Sequence, residues 1–137
     1  MSDGFTRRSV LCAAVVGGLL TACGTSAPKK VGGLGTARPG DRLAALADLP
    51  KGGGALVDTP GNGQVLLVRT ADDQVRAFNP TCPHQGTTVE PPTAGVITCP
   101  THKSTFDPAT GEVRTGPSTK GLTEIPISVS GDAVVVA

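Results

Sequence analysis

From Asp41 onward the apolar positions come in short runs, each closed by turn-forming residues. Ala55-Leu56-Val57 is one run, and Gln64 to Thr70 is another, rich in Val and Leu. Ala71-Asp72-Asp73 reads as a turn, and Gln74 to Phe78 returns from it as the second arm of a hairpin. Val96-Ile97-Thr98 and Ser104 to Phe106 are brief strands. The run Asp107-Pro108-Ala109-Thr110-Gly111 turns the chain into Glu112 to Thr115. Leu122 to Val129 and Ala133 to Val136 close the chain as a hairpin around Gly131-Asp132. Arg42 to Leu49 is the stretch that could hold a helical turn or two. Short strands at this spacing predict one all-β domain over residues 41–137, a small sandwich or barrel with a single modest core.

The first 40 residues follow a different pattern. Two arginines, Arg7 and Arg8, precede an apolar run over residues 10–22. That run is shorter than the roughly 20 residues needed to span a bilayer, and it fits the apolar part of a signal peptide. The arginine pair resembles a bacterial twin-arginine signal. Leu20-Thr21-Ala22-Cys23 resembles a lipobox, which implies cleavage after residue 22 and a lipid on Cys23. Cys12 lies in the apolar run and would be discarded with it. Residues 23–40 then read as a lipid-anchored tether of Gly, Pro, Ala, Thr and Ser with Lys29 and Lys30. The expected location is the outer face of the cytoplasmic membrane.

Composition removes whole classes of function. The 137 residues include three Phe, no Tyr and no Trp, and the net charge is +1. A chain so poor in stacking side chains and basic stripes is not expected to bind nucleic acid.

The chemistry gathers in two short motifs. Cys82-Pro83-His84 reads C-x-H, and Cys99-Pro100-Thr101-His102 reads C-x-x-H, with 14 residues between them. Both histidines of the chain are here, together with the two cysteines that lie beyond residue 23. Each half offers a thiolate and an imidazole from a Pro-containing loop. Zinc also takes such donors, although its structural sites more often pair C-x₂₋₄-C with H-x₃₋₅-H. A Cys–His nucleophile is less well served, since no third orienting group is evident. Asp107 and Glu112 could be imagined as an acid–base pair, but in a Pro- and Gly-bearing turn they read as turn residues.

This pattern resembles the Rieske iron–sulfur family, from about Asp41 to the end. The resemblance implies a small antiparallel Rieske-type sandwich or barrel with an inserted cluster-binding subdomain, its loops at about residues 80–118. It implies a [2Fe-2S] cluster with Cys82 and Cys99 on one iron and His84 and His102 on the other, more exposed one. Gly86, Ser104 and Phe106 match the family's flanks, and Gly116-Pro117-Ser118 matches the proline loop that covers the cluster. Imidazole in place of two thiolates leaves the oxidised site neutral and raises its potential from about −400 mV to between about −150 and +300 mV.

Some positions depart from the respiratory members of the family. Thr87 and Thr101 stand where those proteins carry a disulfide that clamps the loops, Phe106 stands for a Tyr, and Lys103 for a Gly. The expected function is a membrane-anchored one-electron carrier whose donor and acceptor are a quinol, a cytochrome or an oxidoreductase. The alternative is the Rieske subunit of a quinol–cytochrome c reductase complex. A zinc-stabilised module is more remote. A ring-hydroxylating oxygenase is set aside, because its further iron needs histidines that this chain does not have.

Overall fold

The computed structural model describes residues 29–70, 73–83 and 86–137. The expected signal, Cys12, Cys23, the start of the expected tether, residues 71 and 72 of the expected turn, and His84 lie outside the described residues.

Strand β4 (Gly63–Arg69) organises the rest. Its Val65-Leu66-Leu67-Val68 run is apolar at every position, and all four residues are at most 1% exposed. A strand with one wet face alternates; one buried on both faces does not. Side chains alternate across a strand, so Val65 and Leu67 enter one core and Leu66 and Val68 the other. Each such side chain contributes about 1.5–3 kcal/mol when fully buried.

The sheet around β4 has β3 (Gly53–Thr59) antiparallel on one edge. Its other edge is shared by β5 (Val75–Phe78), antiparallel, and β1 (Val31–Gly32), parallel. A second sheet runs β2-β10-β9, with β2 at Arg42–Ala45, β9 at Ile127–Ser130 and β10 at Ala133–Val136. Leu49, Val65, Leu67, Ala77, Ile125 and Val134 fill the core associated with this half. A third sheet, β6 (Ile97–Thr98), β7 (Thr105–Phe106) and β8 (Val113–Thr115), lies between β5 and β9 in the chain. This small sheet is the inserted subdomain, and its core joins Leu66, Val68 and Phe78 to Ile97 and Phe106. The all-β, largely antiparallel architecture expected from the sequence is the one observed.

Three expectations change. Arg42 to Leu49 holds strand β2 followed by one 3₁₀ turn at Leu46–Asp48. The first arm of the closing hairpin, expected from Leu122, is β9 and starts at Ile127: Leu122 and Ile125 are buried ahead of it, and Glu124 bridges Phe78. The expected tether is also shorter than residues 23–40. Val31 N–H donates to Asn62 O at 3.0 Å, Gly33 N–H to Gln64 O at 2.8 Å and Thr36 N–H to Pro60 O at 2.8 Å. Lys30 pairs with Asp58 at 3.3 Å, and Leu34 packs on the core. The composition that looks like a linker serves close approach instead. Gly35 has φ +60° and sits so near the Pro60 carbonyl that a Cβ would strike it.

Gly35→Val therefore dislodges this arm. The expected result is a loss of about 2 kcal/mol in thermal unfolding, with faster amide exchange at Val31 and Gly33. Unchanged exchange at those two amides would show that the arm does not depend on Gly35.

Candidate metal centre

Two loops with one hydrogen-bond pattern carry the cysteines. The first leaves β5 through Asn79, whose Oδ1 accepts the Thr81 N–H at 3.0 Å. Cys82 N–H then donates to Thr87 O at 2.7 Å, and Gly86 N–H donates back to Cys82 O at 2.8 Å. The second loop joins β6 to β7. Cys99 N–H donates to Ser104 O at 2.8 Å, and Lys103 N–H donates back to Cys99 O at 2.9 Å. The residue four places after each cysteine has a left-handed backbone, Gly86 at φ +75° and Lys103 at φ +65°. Each cysteine thus sits at the root of a closed turn, and its partner histidine falls on the turn itself in the sequence.

Cys82 and Cys99 are 1% and 2% exposed, and neither forms a disulfide. They belong to the same apolar core as Leu66, Val68, Phe78, Val89, Ile97 and Phe106. His102 is exposed, as are Pro83, Pro100, Thr101, Lys103 and Pro117. The thiols therefore face inward and the second loop's imidazole outward. Among the described residues no three of His, Cys, Asp and Glu gather as ligands for one ion. A two-iron cluster does not ask for that, because thiolates and imidazoles go to different irons.

The loops are tied at the two positions where a disulfide would stand. Thr101 Oγ1 donates to Thr87 Oγ1 at 2.7 Å. Sequence reasoning marked both positions as lacking a disulfide, and it missed that they meet. A third segment, after β8, closes over the second loop. Gly116 lies so close to Ser104 that a Cβ there would strike it, and Ser118 N–H donates to Ser104 Oγ at 3.2 Å. Ser118 Oγ donates on to Lys120 O at 2.8 Å. Pro117 points outward, so Gly116 and Ser118 make the contact. Ser104 is 0% exposed, and among the described residues nothing accepts its hydroxyl proton. A buried hydroxyl in that state fits a sulfur acceptor beside it. The donor set fits as well, since soft thiolates and imidazoles suit iron–sulfur centres.

Asp107 is a turn residue, as its neighbours suggested. Its Oδ1 accepts the N–H groups of Ala109 at 2.7 Å and Thr110 at 3.3 Å, and its Oδ2 meets Arg114 at 2.7 Å. The Arg114 guanidinium, helped by the Ala109 amide, holds this carboxyl below its ordinary value of 3.8. Glu112 is exposed and contributes through its backbone: its carbonyl accepts the Asp107 N–H at 2.8 Å, and its N–H donates to Thr110 Oγ1 at 3.2 Å.

Two outcomes follow from this geometry. A double-mutant cycle of Thr87→Val and Thr101→Val in denaturant unfolding should give a coupling of about 0.5–1 kcal/mol; zero coupling would mean that the hydroxyls do not clasp the loops. The Asp107 pair contributes stability that is full above the unfolded carboxylate value and is lost as pH falls through the lowered native value. Arg114→Ala should therefore reduce stability at pH 7 and converge with the parent at strongly acid pH; a constant gap across the range would deny the linkage.

Known proteins share this arrangement. The family model described as Rieske [2Fe-2S] domain matches residues 42–126. The plasma-membrane Rieske protein PetC3 of the cyanobacterium Synechocystis PCC 6803 is 34% identical, with a TM-score of 0.62 over 71% of this chain and 98% of that one. The ferredoxin of carbazole 1,9a-dioxygenase from Nocardioides aromaticivorans IC177 is 28% identical, with a TM-score of 0.61 over 74% of this chain and 98% of that one. A Sphingomonas yanoikuyae B1 ferredoxin, 21% identical with a TM-score of 0.61 over 70% and 95%, shares the fold. A search among curated proteins gives no match. The chain belongs to the Rieske [2Fe-2S] domain family, and its cofactor is a [2Fe-2S] cluster.

Proposed function

We propose that Cys82 and Cys99 hold the inner iron, that His84 and His102 hold the outer one, and that the protein is a one-electron carrier anchored to a membrane through Cys23. The observation that carries the ligand assignment is the pair of matched loops, each with a buried thiol at its root. A [2Fe-2S] centre with this ligand set accepts and releases single electrons at a moderate potential. The chain's own residues do the rest. The apolar core around the thiols excludes water from the inner side, Ser104 offers a hydroxyl proton toward the sulfurs, and exposed His102 faces a partner.

Anchoring rests on the sequence of residues 1–23 and draws support from PetC3, which is described as a plasma-membrane protein. Among the described residues no helix is long and apolar enough to cross a membrane. If Cys23 carries lipid, residues 24–28 separate it from the docked arm. A stretch of that length spans at most about 20 Å, which holds the domain close to the bilayer surface. Twin-arginine export suits a domain that takes its cluster before crossing. The carbazole dioxygenase ferredoxin belongs to an oxygenase system, so an oxidoreductase partner remains beside a quinol or a cytochrome.

Cys82→Ser, His84→Ala, Cys99→Ser and His102→Ala should each abolish the visible absorption and the reduced-state EPR signal. Retention of full iron and an unchanged spectrum in any of the four would remove that residue from the ligand set. Cys23→Ala should release the protein from membranes, and a variant that stays bound would refute the lipid anchor. Hydrogen bonds to cluster sulfurs stabilise the reduced state. Ser104→Ala should lower the midpoint and Phe106→Tyr should raise it, each by about 40 mV, one hydrogen bond of about 1 kcal/mol in a one-electron couple. Protein-film voltammetry reads both, and no shift in either would show that these hydroxyls do not set the potential.

A further inference from the structure

The two cysteine loops share two backbone hydrogen bonds and differ in the residue that closes each turn. Both place the fourth residue after the cysteine in the left-handed region and use its N–H to close the turn. In the first loop that residue is Gly86, which takes this conformation without strain. In the second it is Lys103, at φ +65°, a conformation that L side chains adopt at a cost. Its side chain is exposed, next to His102 in the chain, and it forms no ion pair among the described residues. Strain kept at a site points to a use for the side chain that causes it.

Charge elsewhere on the tip gives that use a direction. Hydrogen bonds close the turns that hold the cysteines between residues 82 and 87 and between residues 99 and 104, and residues 116–120 close over the second turn, with Glu90 and Glu124 farther along the same connections. Residues 82–87, 99–104 and 116–120 contain Lys103 and Lys120 and no Asp or Glu. Lys120 is held near the second loop through Ser118, which bonds both Lys120 O and Ser104 Oγ. Ser118, Thr119 and Lys120 also face Pro83 across a cavity of about 200 Å³. Exposed Pro83, Pro100 and Pro117 supply an apolar surface among these charges. Residues 29–137 carry ten basic and ten acidic side chains. The two lysines at the tip therefore leave the remainder of the domain with two net negative charges. A neutral domain with one positive end is turned by the field of a negative partner so that this end arrives first.

We propose that the face around His102 docks an acidic redox protein, and that Lys103, with Lys120, is the residue that selects the sign of the partner's charge. The inference rests on the reading of this tip as the place of electron exchange. In that exchange one electron leaves the reduced protein and reduces one oxidised acceptor, with no bond made and no proton required. The three proline rings contribute uncharged contact area, and the ammonium groups set orientation and encounter rate.

The test compares two acceptors that differ mainly in charge: native cytochrome c, which is basic, and the same cytochrome with its lysines succinylated, which is acidic. The full-length reduced protein should reduce the succinylated form about tenfold faster at low salt, and the difference should collapse at about 0.5 M salt, where screening acts within a few ångströms. Lys103→Glu with Lys120→Glu should reverse the order. Carbodiimide cross-links to the succinylated cytochrome should map to Lys103 and Lys120 rather than to Lys51. Lys103→Gly should keep the visible spectrum and unfold at the same or a higher temperature, while losing part of the preference.

A faster reaction with native cytochrome c, or a preference that survives the double Glu variant, would overturn the proposal. So would Lys103-dependent sedimentation of the Cys23→Ala chain with phosphatidylglycerol vesicles, which would assign the face to lipid. A wild-type protein with its spectrum intact but indifferent to charge overturns this inference alone. A colourless wild-type protein overturns the cluster reading as well.

Discussion

Everything in this fold serves the burial of two thiols at the roots of two loops that share one core. Cys82 and Cys99 are packed with Leu66, Val68, Phe78 and Phe106. A thiolate alone in such a place is costly, and binding to iron removes the cost by sharing its charge. The core can do this because β4 is apolar on both faces. Val65 and Leu67 build the scaffold core, while Leu66 and Val68 support the small sheet that presents the second loop. With Cys82 and Cys99 as the proposed ligands, sharing a core with the main strand would make metal binding support folding.

The loops are shaped by the chain's own hydrogen bonds. Each cysteine gives its N–H and its carbonyl to bonds within its own loop, and Thr87 and Thr101 join one loop to the other. A hydrogen bond in place of a covalent bridge is weaker and indifferent to thiols and oxidants. That suits a chain in which neither described cysteine forms a disulfide. The segment at Gly116 and Ser118 adds a third wall by seating on Ser104. The division of the surface follows: apolar and closed around the thiols, polar and open at His102 and Lys103.

Much of this was legible in the sequence. The Val65–Val68 run, the Gly131-Asp132 turn and the C-x-H and C-x-x-H motifs each have a local cause, so local reading finds them. What it missed depends on contacts between distant residues. Residues 31–36 look like linker because their glycines were read for flexibility, whereas Gly35 is there for contact with Pro60. Parallel pairing of β1 with β4 leaves no periodic signal in two residues. The Thr87–Thr101 bond spans 14 positions, and neither residue is unusual alone. The strain at Lys103 shows only once φ is known, since the sequence reveals the missing glycine and not the backbone that wants one.

The central claim is that two thiolates and two imidazoles share a pair of irons. Pulsed EPR on the reduced protein, grown with ¹⁵N-labelled histidine, tests it most directly, because it reads ligands without altering them. The account predicts coupling of the unpaired spin to two histidine nitrogens that both change isotope with the label. A signal with no histidine coupling, or a colourless protein that holds zinc, would contradict it.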